Sequence, residues 1–157
     1  MDIQEQRLLA AVIRNHCWAA LATQGAEGPE ASWVACAAAP DFSFFLLHLS
    51  RLAAHTRNLL QDPRASLALS EREREGQDPQ SLARIMMQGR VEVIPRQHPD
   101  YAAAVQRYQE RLPASVLLFE FDDFLLFRFV PTQARFVGGF ARIRTLDAAA
   151  LRQTAAV

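Results

Sequence analysis

Residues 48–58, HLSRLAAHTRN, gather two arginines, two histidines, a serine, a threonine and an asparagine within eleven positions. Ser50 and Thr56 supply hydroxyl donors, Arg51 and Arg57 supply full charges, and His55 lies between them. The stretch leaves an apolar strand pattern and enters a helical one, and a helix start exposes unpaired N–H groups and a partial positive charge. Such a set suits a phosphate monoester. The competing reading makes Ser50 a helix cap and the arginines surface charges. With Ser50 as the cap, Arg51, His55 and Asn58 share one helical face and Arg57 points about 120° away. With the cap near Ala53, Ser50 and Arg51 belong to the loop and can wrap an anion. The second placement is preferred because it brings Ser50, Arg51, His55 and Thr56 around one point.

Charge narrows the choice of partners. Basic and acidic residues balance at 17 each, and the pI is near 6.9. A field that weak does not draw nucleic acid or an anionic membrane to the whole surface. All the basic residues are arginine. Schiff-base chemistry on a lysine is therefore excluded, and an anion must be held by Arg, His or backbone N–H. The only cysteines, Cys17 and Cys36, form neither a disulfide framework nor a zinc spacing, and they read as buried thiols in a reducing cytoplasm. The polar helical start lacks a signal pattern and no apolar run approaches membrane-span length, so a soluble cytoplasmic protein is expected.

The elements that must hold this segment follow from periodicity. A helix is predicted to about His16, with Asp2 and Glu5 as its start signal. Strands are predicted at 17–23, 30–38, 42–49, 64–70 and 83–94, the last with Gly89 at a bulge. A short helix covers 52–60 and an amphipathic one 100–111. Residues 116–121 and 124–130 read as a hairpin around Asp122-Asp123. A last strand region at 134–144 carries Gly138-Gly139, and 147–154 is a terminal helix. The charged loop at 71–80 is assigned no chemistry, and His48 is read as a core histidine in a central strand. Residues 1–157 are expected to form one domain. Hairpin-like order with inserted helices argues for an antiparallel barrel, mainly β in class, rather than a Rossmann sheet.

The series SRLAAHTRNLLQDPRASLAL, DPQSLARIMMQGRVEVI and FLLFRFVPTQARFVGGFARI resembles the pyridoxamine 5′-phosphate oxidase-like FMN-binding split barrels. It is most similar to their heme-utilisation branch. The resemblance implies a six-stranded split barrel with a few peripheral helices, working as a homodimer with FMN at the subunit interface. It implies that backbone atoms of Ser32, Trp33 and Val34 run along the flavin ring. Leu49, Ser50 and Arg51 would follow at the ribityl-phosphate end. His55 falls where the oxidases carry a phosphate-binding lysine, with Thr56 and Arg57 beside it. Arg84 falls where they use a glutamine near the flavin, and Gln88 shares its strand face. Phe136 matches an aromatic that reaches the flavin from the partner subunit, and Arg142 matches a substrate-binding arginine.

The departures shape the expected function. Histidine in place of lysine makes the phosphate contact weaker or pH-dependent. Arg84 beside the flavin pyrimidine would stabilise an anionic reduced flavin. Of the oxidases' substrate-binding residues only Arg142 has a match, which argues against pyridoxamine phosphate as substrate. The expectation is an FMN-dependent oxidoreductase acting on another small molecule. The alternative is a heme-binding protein or a non-enzymatic FMN module. In the heme branch, a histidine at the position of His55 lies near the heme, but its iron-ligating histidine comes from a later segment. This chain has no histidine after His98.

Overall fold

The computed structural model describes residues 1–139 and 142–157. Eight strands form one antiparallel sheet: β1 (Trp18–Gly25), β2 (Gly28–Ala35), β3 (Ala37–Ala38), β4 (Phe45–Ser50), β5 (Arg64–Ser70), β6 (Arg84–Val93), β7 (Phe124–Val137) and β8 (Ile143–Asp147). The helices are α1 (Ile3–Asn15), α2 (Ala54–Gln61), α3 (Tyr101–Arg111) and α4 (Ala148–Gln153). The sheet runs β2-β1-β5-β6-β7-β4-β3, with β8 added to β7. Because β2 and β3 are separated only by Cys36, the two ends of that path are neighbours in the chain. The sheet must therefore curl back on itself, and six long strands make the expected split barrel.

Alternation places the core. On β5 the order is exposed, buried, half-buried in strict period of two, so Ala65, Leu67 and Leu69 face inward. They meet Phe45, Phe127, Phe129 and Phe136, all fully buried. α1 closes one side with Leu9, Val12 and Ile13. Its start is a capping box: the Asp2 carboxylate accepts from Glu5 N–H at 2.8 Å, and Glu5 accepts from Asp2 N–H at 3.2 Å. Glu5 is buried, and Arg144 on β8 donates to it at 2.8 Å and 3.2 Å. No helix among the described residues is long and apolar enough to cross a membrane.

Two expected elements differ. Residues 116–121 are not a strand; Pro113–Glu120 winds as 3-10 turns. Pro113 sits at the start of the turns, and the Ser115 hydroxyl donates to Leu112 O at 2.7 Å. Phe119 then lies flat on His48, with centroids 3.7 Å apart. An apolar run of that length has no periodicity that separates a strand from a covering turn. The hairpin is consequently absent: Asp122-Asp123 leads from these turns into β7, a single strand that continues past Pro131. Pro131, lacking an N–H, sits where the β6–β7 register shifts between Gln88 and Gly89, as the predicted bulge requires. The last predicted strand is likewise divided between β7 and β8, with Gly139 in the intervening turn at φ +111.

His48 belongs to a second apolar cluster, where α3 and Phe119 cover the outer side of β4. It is 7% exposed, and its Nδ1 has no partner among the described residues. Burial, and secondarily the charge of Arg96, lowers its pKa from 6.5 to about 4. The unfolded chain takes up the proton first, so this contribution is complete above pH 6.5 and is lost as the pH falls towards 4. Unfolding free energies from urea titration near neutrality and at about pH 4 are expected to differ by on the order of 2–3 kcal/mol from this group. His48→Phe should remove that part of the acid sensitivity; an unchanged pH profile would reject the assignment.

Candidate functional site

At the end of β4 the chain turns through Ser50–Ala53 and enters α2. Ala53 is the N-cap, with φ −74 and ψ 142, and among the described residues the first turn of the helix has no side-chain cap. The expected cap near Ala53 is observed, and the amides of that turn keep their anion-binding capacity. α2 is clamped to the barrel by Asn58, whose amide donates to Thr23 Oγ1 at 3.1 Å and Glu30 Oε2 at 2.9 Å. Thr56 is fully buried against this surface. Its Oγ1, like Ser32 Oγ on β2, is buried without a hydrogen-bond partner among the described residues. An orphaned buried hydroxyl costs about 1–3 kcal/mol, so that of Thr56, in the first turn of α2, is a candidate partner for an absent polar group.

The neighbouring side chains do not converge as expected. Ser50 Oγ donates to Asp123 Oδ2 at 2.6 Å and accepts from Leu52 N–H at 3.1 Å. Arg51 N–H donates to Asp123 O at 2.7 Å, while the Arg51 side chain lines a separate groove of about 300 Å³ with Arg96 and Tyr101. The Arg57 guanidinium donates to Leu52 O at 2.6 Å and closes the loop. His55 is half-buried, and burial lowers its pKa, which favours the neutral imidazole. Leu49 is buried, so only its backbone is available.

β2 is an edge strand, which leaves one row of backbone groups on Ser32, Trp33 and Val34 without a strand partner among the described residues. The Val34 side chain is buried, while Trp33 is exposed and stacks on Trp18 at 6.0 Å between centroids. Both indoles line a cavity of about 550 Å³ with Met86, Arg72 and Arg84. The outer face of the sheet is otherwise made largely of small residues: Trp33, Ala20, Ala68 and Met86 form one row across the strands, and Ala31, Ala22, Ser66 and Gln88 form the next.

Arg84 and Gln88 share that outer face, as their spacing implied. Arg84 donates to Gln80 O and Leu82 O, and Gln88 lies exposed in a groove with Arg64 and Arg90. Gln88 lies two strands from Ala22, next to the Thr23 that Asn58 of α2 holds, whereas Arg84 lies farther along β6. Ser50 pairs with Phe124 at one end of β7 and Arg84 with Val137 at the other, about 40 Å apart along the strand. Phe136 also departs from expectation. It is fully buried, because the alternation along β7 turns Ala134 and Phe136 inward and Arg135 outward. A ring enclosed by its own core does not present itself to a partner. Arg142 is exposed at the β7–β8 turn, and its charge reaches Asp2.

Sequence reasoning missed Asp123, Trp18 and the Thr23–Glu30–Asn58 clamp. Trp18 was within reach of it: a turn at 25–28 puts Trp18 and Trp33 on one face by the period of two.

The sequence profile described as pyridoxamine 5′-phosphate oxidase matches residues 6–138. Heme oxygenase HutZ of Vibrio cholerae is 29% identical over 124 residues, 78% of this chain and 69% of that protein. A heme binding protein from Mycobacterium smegmatis superposes with a TM-score of 0.81 at 30% identity, over 96% of this chain. The match spans only 60% of the mycobacterial chain. The crystal structure of HutZ, described as a heme storage protein from Vibrio cholerae, shares the fold with a TM-score of 0.70 at 23% identity, covering 83% of this chain and 91% of that one.

Proposed function

This chain belongs to the pyridoxamine 5′-phosphate oxidase family, and from that membership we propose that it is an FMN-binding flavoprotein, a homodimeric oxidoreductase acting on a small substrate. The observation that carries the reading is the orphaned hydroxyl of Thr56 in the first turn of α2, whose N-cap Ala53 offers no side-chain cap. The first-turn amides of α2 and Thr56 would hold the phosphate, with His55 alongside. Ser50 contributes less than the resemblance implied, because its hydroxyl is already given to Asp123 and that carboxylate repels an anion. The unpaired edge of β2 would lie along the ring. When bound, FMN supplies hydride or electron transfer, while the protein supplies position and electrostatics.

The homodimer is proposed from the family resemblance and from the placement of Arg84 at the far end of β7 from Ser50. A second copy is the simpler source of an arginine at that corner, whereas Gln88 lies only two strands from Ala22. The outer face, rich in small residues and with its exposed indoles, suits close packing of another sheet. A cytoplasmic setting agrees with the two free thiols.

Thr56→Val tests the site in both directions. Without cofactor, removing an unsatisfied hydroxyl should raise stability by about 1 kcal/mol. FMN affinity, followed by quenching of flavin fluorescence, should fall about 10-fold for one lost bond to a charged group. His55→Ala should weaken binding by about 1–3 kcal/mol. Parent-like FMN binding in both variants would place the phosphate elsewhere.

Heme is the second reading, favoured by the relatives of known description and by His55. That imidazole is held towards its neutral form and makes no side-chain hydrogen bond among the described residues, leaving a nitrogen open to iron. Hemin titration separates the two: a Soret band that His55→Ala abolishes supports heme, and flavin absorption bands in the purified protein support FMN.

A further inference from the structure

Cys36 stands alone between β2 and β3, where the chain crosses from one edge of the split barrel to the other. Its N–H donates to Cys17 O at 2.8 Å. The ladder that pairs Trp18 with Ala35 thus continues by one position and sets the two cysteines directly opposite each other. Facing residues share a side of the sheet, and here it is the inner side, since the next inner pair is Ala19 and Val34, both buried. Opposed Cα atoms in a hydrogen-bonded pair lie about 5.5 Å apart, inside the range a disulfide accepts. Their Cβ atoms lie roughly 1 Å farther apart than a relaxed disulfide has them, so closure draws the strands slightly together. Both thiols are free; Cys36 is buried, whereas Cys17, just before β1, is only partly buried.

We propose that Cys17 and Cys36 are a peroxide-responsive thiol–disulfide pair that staples the seam of the barrel. Cys17 meets the oxidant first. Its sulfur attacks a peroxide oxygen, the O–O bond breaks, one water leaves and Cys17 becomes a sulfenic acid. The Cys36 sulfur then attacks the Cys17 sulfur, the S–O bond breaks, and the departing hydroxyl takes the Cys36 proton as a second water. Two thiols have given up two electrons, and one hydrogen peroxide has been reduced to two waters. Burial pushes the Cys36 thiol up to about 12, which keeps it protonated and unreactive towards bulk oxidant. Its fixed position against Cys17 gives it the resolving role. A slightly strained bond of this kind is easily reduced, as a reversible cytoplasmic modification requires. Once formed, it ties β1 to the β2–β3 junction and restricts the edge strand that borders the candidate cofactor cleft.

The full chain is treated with hydrogen peroxide, alkylated, digested and analysed by mass spectrometry. Both thiols should be lost together, with a Cys17–Cys36 linked peptide that dithiothreitol reverses. Cys36→Ser should stop at a Cys17 sulfenic acid trapped by dimedone, and Cys17→Ser should leave Cys36 reduced. Thiols that survive peroxide in the wild-type chain, a disulfide between two chains, or Cys17 overoxidised beside a reduced Cys36 would each overturn the proposal. The wild-type experiment needs no variant to fold and no cofactor to be bound.

Discussion

Gly89→Ala is expected to lower the melting temperature by roughly 10 °C. Gly89 sits at the bulge where β6 and β7 change register. A Cβ there would collide with the Val130 carbonyl oxygen and lie 2.9 Å from Pro131 Cα. Every atom it meets is backbone, so no side chain can rotate away; relief requires the two most extensively paired strands to separate. Overpacking of this kind costs about 3 kcal/mol, and each kcal/mol moves the melting point by about 2–4 °C in a domain of this size. Gly76→Ala is the control: Gly76 has φ +76 but nothing within 4 Å, so it should cost only about 1 kcal/mol of backbone strain. Similar melting points for the two variants would show that the bulge is not tightly packed.

Phe136→Ala is expected to cost about 3–5 kcal/mol, the usual range for removing a buried aromatic ring. Phe136 is fully enclosed, opposite Ile85 on β6 and close to where Gly138 approaches its ring at the exit from β7. The family resemblance carried this position onto a partner's flavin, and the two roles differ in what they lose. A core ring costs stability and leaves the cofactor affinity of the folded protein unchanged. A flavin-stacking ring would cost affinity and leave the melting point near that of the parent. Thermal unfolding and flavin titration on one variant therefore decide between them, and the burial predicts the first outcome.

Much of this fold is written in local chemistry. The capping residues Asp2 and Glu5, the alternation of β5, the glycine at the bulge and the helix start near Ala53 each depend on neighbours a few positions away. Period and cap rules therefore reach them. The run 116–121 was not legible in this way, because an apolar stretch becomes a strand or a covering turn according to what it lies against. Here that is the outer face of β4 and the ring of His48.

The candidate site divides along the same line. Residue types alone determined that any anion must be met by arginine, histidine, hydroxyls or amides, and placed a helix start among them. Only the tertiary structure decided which of these are free. Asp123, distant in sequence, takes the Ser50 hydroxyl; the groove beside Ile94 takes Arg51; the clamp of Asn58 on Thr23 and Glu30 holds α2 where Thr56 is buried and unsatisfied. It likewise turned Phe136 inward and set Cys17 opposite Cys36. The reason is physical: a residue's chemistry is carried by the residue itself, but its hydrogen-bond partners and burial are properties of strand register, and register is set by the whole closed sheet.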